Sequence, residues 1–290
     1  MRFGSIVVAL ILMPLSLGGG SLNVELDVPY ASGHAAQQLD LYLPAATKAF
    51  PTVVFVHGGS LQSGDKRDGD YGKVCPAFIA QGVACATINY RMLSDAPWPA
   101  PVDDTATAFA WVRRNIESKG GDRRNIFLVG HSSGARLVAT VATDEQFVKR
   151  AGFSIADIRG VVAMGSIMRD KEFEQAVASE SQEQVQKAFA SDAEYRAFGR
   201  PERYRDSWPL YHVHAGIPPV LFIIAEAEKF HPPVLASAEE FVAAARKLGC
   251  WADYKIVPGK HMDEVRNLSM SQDTVLQAVV QFIRARSNPQ

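Results

Sequence analysis

No block of lysine and arginine, and no surplus of acid, marks this sequence: 30 basic and 31 acidic side chains leave a net charge of −1. A chain without a basic stripe has little with which to hold a phosphate backbone or an anionic bilayer, so neither nucleic acid nor a membrane surface is expected as a partner. Cysteine is scarce, at Cys75, Cys85 and Cys250. No C-x-x-C pair and no zinc-type Cys/His spacing occurs, so no metal centre is expected. The odd count leaves at least one thiol unpaired. A Cys75–Cys85 bridge is one open arrangement; a buried free thiol at Cys85, which lies in an apolar run, is the other. Internal repeats are lacking. So is a spanning stretch: the apolar run near the N-terminus falls short of the roughly 20 residues a membrane helix needs.

That N-terminal run has a different reading. Arg2 precedes Ile6–Met13, and small residues close the segment at Gly18-Gly19-Gly20-Ser21. A basic start, a short apolar stretch and a small-residue end describe a secretory leader. Residues 1–20 are therefore expected to be removed after Gly20, leaving 21–290 as an exported α/β domain.

Two segments, Leu22–Val28 and Gln38–Leu43, alternate apolar and polar residues, the pattern of half-buried strands paired at a sheet edge. Later runs are apolar without alternation: Thr52–Val56, Val83–Ile88, Ile126–Val129, Val161–Met164 and Val220–Ile224. Separated by helical stretches, these predict strands covered on both faces in a doubly wound, mainly parallel sheet. Helices are expected over 103–117, 238–248 and 274–283. Residues 170–215 break the alternation with a polar, Gln- and Glu-rich segment carrying Phe189, Tyr195, Phe198, Tyr204, Trp208 and Tyr211, read as an inserted helical cap.

The chemistry concentrates where strands end. Gly130-His131-Ser132-Ser133-Gly134 stands between a strand and a helix, the setting of a nucleophile elbow, which makes Ser132 the candidate nucleophile. Glycines at both ends of so tight a turn keep side chains clear of the backbone. His57-Gly58-Gly59-Ser60 follows the Thr52–Val56 strand. A glycine-rich turn there can aim N–H groups at a developing oxyanion, so Gly59 and Ser60, with Ser133 after the nucleophile, are the candidate donors. A serine hydroxyl needs a base, and His261 follows the last strand, Trp251–Val257. The orienting acid should follow the strand before it. No aspartate lies between Pro218 and Trp251, which leaves Glu228, with Glu226 as the second choice.

In this order, with Leu39–Pro44, Gly64-Asp65-Lys66, Asn89-Tyr90-Arg91, Pro99-Ala100-Pro101-x-x-Asp104 with Trp111, and Gly259-Lys260-His261, the chain resembles α/β-hydrolase esterases. It is similar to the hormone-sensitive-lipase-like and feruloyl-esterase-like enzymes, with kynurenine formamidases as near relatives. The resemblance implies a serine hydrolase acting on small carboxylic esters through an acyl-enzyme, with no cofactor. It also implies two other readings, an aryl-formamidase and a catalytically inactive binding protein of the same fold. In such relatives the counterpart of Asp104 ties down the elbow region, and that structural role is what the resemblance implies here. This chain departs from the pattern at Ser60 and Leu61, which reshape the acyl side of the oxyanion turn, and in carrying glutamate at the acid position.

Overall fold

The computed structural model describes residues 15–17, 20–45, 48–179, 181–191, 193–227, 232–270 and 273–288. Most of the expected leader therefore lies outside the described residues. The chain opens with β1 (Leu15–Leu17), β2 (Gly20–Pro29), β3 (Gln38–Leu43) and β4 (Phe50–Val56), then α1 (Tyr71–Ile79), β5 (Ala84–Ile88) and α2 (Ala100–Asn115). The elbow strand β6 (Gly121–His131) leads into α3 (Ser133–Thr143), α4 (Glu145–Ala151) and β7 (Gly160–Met164). Four short helices follow, α5 (Lys171–Ser179), α6 (Gln182–Ser191), α7 (Ala193–Phe198) and α8 (Pro201–Asp206). The last part holds β8 (Val220–Ala225), α9 (Pro232–Lys247), β9 (Ala252–Val257), α10 (His261–Leu268) and α11 (Thr274–Arg286).

The strands join in the order β1-β2-β3-β5-β4-β6-β7-β8-β9. From β5 to β9 every neighbour is parallel, and β1, β2 and β3 add antiparallel pairs at one edge. The unalternating strands are covered on both faces, as their composition requires. Val54 and Val56 point to a core shared with α2, α3, α4 and α9. Val53 and Phe55 point to the opposite core, with Val74 and Phe78 of α1, Val265 and Leu268 of α10, and Val275, Val279 and Ile283 of α11. Cys75 of α1 and Cys85 of β5 form a disulfide inside that second core, which answers the pairing left open by the sequence. Cys250 is the free thiol.

The edge strand β3 differs from expectation. Its apolar positions Leu39, Leu41 and Leu43 are buried, but so is Asp40. Asp40 accepts from Arg67 Nε at 2.6 Å, Arg67 Nη2 at 2.7 Å and the Asp27 N–H at 2.8 Å, with Lys66 Nζ at 3.6 Å. A buried carboxylate is tolerated because both its oxygens accept hydrogen bonds and two cations offset its charge. Alternation alone reads such a residue as solvent-facing; the ion cluster over it comes from another part of the chain.

Candidate active site

The parallel register brings the ends of β4, β6, β7, β8 and β9 to one edge of the sheet, where loops of such sheets bind ligands. Ser132 lies between β6 and α3 with φ 54° and ψ −128°, outside the regions a serine ordinarily adopts. Its N–H donates to Met164 O of β7 at 2.8 Å. The flanking glycines permit the turn for a steric reason. A Cβ on Gly130 would fall 2.3 Å from Gly134 O, and one on Gly134 would fall 2.2 Å from Val56 O.

The candidate oxyanion turn after β4 runs against the turn that carries Ser132. A Cβ on Gly58 would meet Ser132 Cβ at 2.7 Å, so the two turns touch. Gly59, Ser60 and Leu61 all have positive φ, at 123°, 56° and 60°. Gly59 O closes the turn by accepting from the Gln62 and Ser63 N–H groups, each at 3.0 Å. Leu61 N–H donates to Ser133 Oγ at 3.3 Å, fastening this turn to the first residue of α3. Ser60, Leu61, Ser132, Ser133, Arg136, Ser166 and Trp208 line a cavity of about 150 Å³. The nucleophile candidate, the two departures at Ser60 and Leu61 and the residue after the nucleophile thus share one cavity.

Residues that the sequence assigned no role brace this floor. Buried His57 stacks on Tyr90 with ring centroids 4.7 Å apart, and its Nδ1–H donates to Gly58 O at 2.7 Å. Burial pushes the His57 imidazole below its ordinary 6.5, only partly offset by that bond. Tyr90 O–H donates to His57 O at 3.1 Å. Asp104, read as a tie for the elbow, instead holds the loop after β5: it accepts from Arg91 N–H at 2.9 Å, Nε at 2.9 Å and Nη2 at 2.7 Å, and from Gln37 Nε2 at 2.7 Å.

His261 begins α10 and lies against the elbow, its ring centroid 4.5 Å from that of His131. His131 is fully buried. Its Nε2–H donates to His261 O at 3.0 Å, which leaves Nδ1 to accept from Tyr71 O–H at 2.9 Å. Tyr71 O in turn accepts from Gly58 N–H at 3.1 Å. A continuous chain of hydrogen bonds therefore joins the oxyanion turn, the elbow and the His261 loop. Burial raises the Tyr71 phenol, the Gly58 N–H draws it down, and negative charge on Glu264 raises it again, so the phenol stays protonated and donates.

Of the acid candidates, Glu228 lies outside the described residues, and Glu226 is exposed after β8. Asp263 is turned to its own helix start, accepting from Lys260 N–H at 2.7 Å and pairing with Arg266. A carboxylate that sequence reasoning missed is Glu264, fully buried, with Oε1 accepting from Ala225 N–H at 2.6 Å and Oε2 3.5 Å from His131 Nε2. Its signal was present: three residues beyond His261 on a helix places both on one face. Among the described residues, His131, His261 and Glu264 are the one group of three ligand-type side chains close enough together to suggest a metal; of these the His131 ring belongs to the hydrogen-bond chain just described, and Glu264 Oε1 accepts from Ala225 N–H.

The inserted segment reaches the cavity. Trp208 lines it, and the guanidinium of Arg136, one turn into α3, lies 3.5 Å from the Trp208 ring centroid and within 5.6 Å of those of Trp98, Phe198 and Tyr204. Arg136 also donates to Ser207 Oγ. Trp98 N–H donates to Ala197 O at 3.1 Å.

Residues 39–237 match the BD-FAE family model. The esterase LipQ of Mycobacterium tuberculosis is 28% identical over 266 residues, spanning 89% of this chain and 61% of LipQ. LipC, an esterase of the same organism, is 30% identical over 216 residues, 73% of this chain and 52% of LipC. The chain thus spans about half to three-fifths of these curated relatives. Among solved structures, esterase B of Lactobacillus rhamnosis superposes with a TM-score of 0.72 at 21% identity, over 91% of this chain and 87% of that one. That level of identity speaks for the shared fold alone.

Proposed function

The chain belongs to the BD-FAE family, and on that premise we propose that it is a serine carboxylesterase acting on small esters through an acyl-enzyme. The observation that carries this reading is the strained Ser132, held against the oxyanion turn at the floor of a small cavity. In the proposed sequence Ser132 Oγ attacks the ester carbonyl while His261 removes its proton. The N–H groups of Gly59, Ser60 and Ser133 stabilise the oxyanion of the tetrahedral intermediate. Among the described residues nothing accepts from these three groups, which supports their availability. His261 then protonates the departing alkoxide, and water activated by the same ring releases the acid. Glu228 is proposed to orient His261, as a carboxylate does in such triads. A cavity of about 150 Å³ favours short acyl groups. LipQ and LipC are named as esterases, which supports the reaction class.

Export is proposed with it: residues 1–20 would be removed, and the Cys75–Cys85 disulfide suits an oxidising compartment. N-terminal sequencing of protein recovered outside the cytoplasm should begin at Ser21; material beginning at Met1 overturns this.

The activity is tested with p-nitrophenyl acetate and butyrate. Ser132→Ala should lower kcat by about 10⁴-fold or more. A wild type inactive on both esters but active on N-formylkynurenine would make it an aryl-formamidase. Silence on all three would point to a binding protein.

A further inference from the structure

We propose that Glu264 is a positioning residue for the reaction, its buried carboxylate fixing the His261 ring and offsetting the charge that ring acquires, resting on the reading of Ser132 and His261 as nucleophile and base. Glu264 is distinct from Glu228, which belongs to the loop after β8. It stands one helical turn beyond His261 on α10, on the face turned to the sheet, and is 0% exposed where Met262, on the same helix, is 43% exposed.

Three observations converge on this carboxylate. One of its oxygens and one ring nitrogen from each of His131 and His261 lie within 4.8 Å of one another. Both Glu264 Oε2 and His261 Nδ1 crowd Gly165, the residue after β7: a Cβ there would fall 2.4 Å from the first atom and 2.9 Å from the second. With φ at 58°, Gly165 has the backbone that suits glycine, and its missing side chain leaves the space that carboxylate and imidazole both border. Finally, Oε1 is pinned by the Ala225 N–H at the end of β8. The carboxylate therefore cannot swing away when the ring changes charge.

The placement answers an electrostatic need. His261 is the first residue of α10, where backbone N–H groups present partial positive charge and disfavour an imidazolium. A fixed negative charge one turn along, removed from water, opposes that effect strongly because little solvent screens it. A carboxylate is costly to bury for packing alone, whereas a glutamine could accept the same Ala225 bond without charge. Other titratable groups around the pair are Tyr71 from α1 and His131 from β6. Asp263 and Arg266 on α10 pair with each other, and Arg266 also reaches Asp70 at 3.4 Å.

The test compares Glu264→Gln, Glu264→Asp, Glu228→Gln and His261→Asn in the full chain, by ester hydrolysis beside circular dichroism and thermal melts. The amide variant should fold, melt within a few degrees of wild type, and lose roughly 10–100-fold in kcat with KM unchanged within twofold. The aspartate variant, which restores the charge, should recover part of that loss. Glu264→Gln within threefold of wild-type kcat overturns the proposal. So does a glutamine variant that does not fold, since the residue then serves the fold, and so does an aspartate variant no better than glutamine. His261→Asn reports on the underlying reading by itself: activity surviving there removes the base assignment, whatever Glu264 does. Loss confined to Glu228→Gln would leave Glu228 as the sole carboxylate serving His261, and Glu264 without the proposed part.

Discussion

The site has two halves that are built in different ways. The half around Ser132, Gly58 to Leu61 with Gly130 and Ser132 to Gly134, is made of two turns within a few residues of their strands. Each glycine in it answers a contact under 3 Å, with backbone at Gly59, Gly130 and Gly134 and with the side chains of Ser132 and Tyr71 at Gly58, so glycine placement in two short stretches of sequence permits its geometry. The half around His261 is assembled from distant parts: His261 and Glu264 of α10, His131 of β6, Tyr71 of α1 and Ala225 of β8. Local turn chemistry gives the first half a shape that survives little alteration. Packing between elements gives the second its placement, so single groups there can be changed with the fold intact.

The strongest way to break this comparison is Gly134→Ala. A Cβ 2.2 Å from Val56 O and 2.5 Å from His57 O has no room unless β4 or the elbow moves. The expected loss is about 3 kcal/mol or more of stability, together with nearly all activity, read by denaturant melts and ester hydrolysis. A stable, active variant would show that the elbow is not sterically fixed. His261→Ala is the counterpart in the other half: kcat should fall by about 10⁴-fold or more while stability stays within about 1 kcal/mol of wild type. A large stability loss there would erase the distinction between the halves.

Tyr71→Phe cuts the hydroxyl that joins them, leaving Gly58 N–H and His131 Nδ1 without their partner. About 1–3 kcal/mol should be lost, with a several-fold fall in kcat, because buried polar groups are left unmatched. No change in either would mean the halves act independently. The smallest expected effect is on pH. His57 is buried with its imidazole held below 6.5, so below that value the unfolded chain takes up a proton that the folded chain resists. Stability should be level in this respect above about pH 6.5 and decline as pH falls beneath it, by at most about 1.4 kcal/mol per pH unit. His57→Asn, which keeps a donor for Gly58 O, should flatten the decline between pH 7 and 5. An unaltered slope would mean that another group sets it.

These contrasts also explain what could be read in advance. The unalternating strands, the tight glycine turns after β4 and β6 and the location of His261 after β9 were all legible, because periodicity and glycine placement act over a few residues. Alternation in β3 misled at Asp40, whose polar side chain is covered by Lys66 and Arg67 from the loop before α1. Asp104 was legible as structural, but its partner Arg91 was not, since a buried ion pair leaves no mark on either segment alone. The His131 ring faces His261 and Tyr71, as the alternation of side chains along β6 requires once Ser132 points into the cavity.

The sequence by itself determined the sheet, the strained serine and the glycine-lined turns, because steric exclusion and hydrophobic periodicity are local properties of the chain. Only the tertiary structure decided that Cys75 meets Cys85, that Arg136 is held among aromatic rings of the inserted segment, and that Tyr71, His131 and Glu264 converge behind His261. Those contacts join residues tens to hundreds of positions apart, and their energies depend on burial and on distances that exist only after the elements have packed.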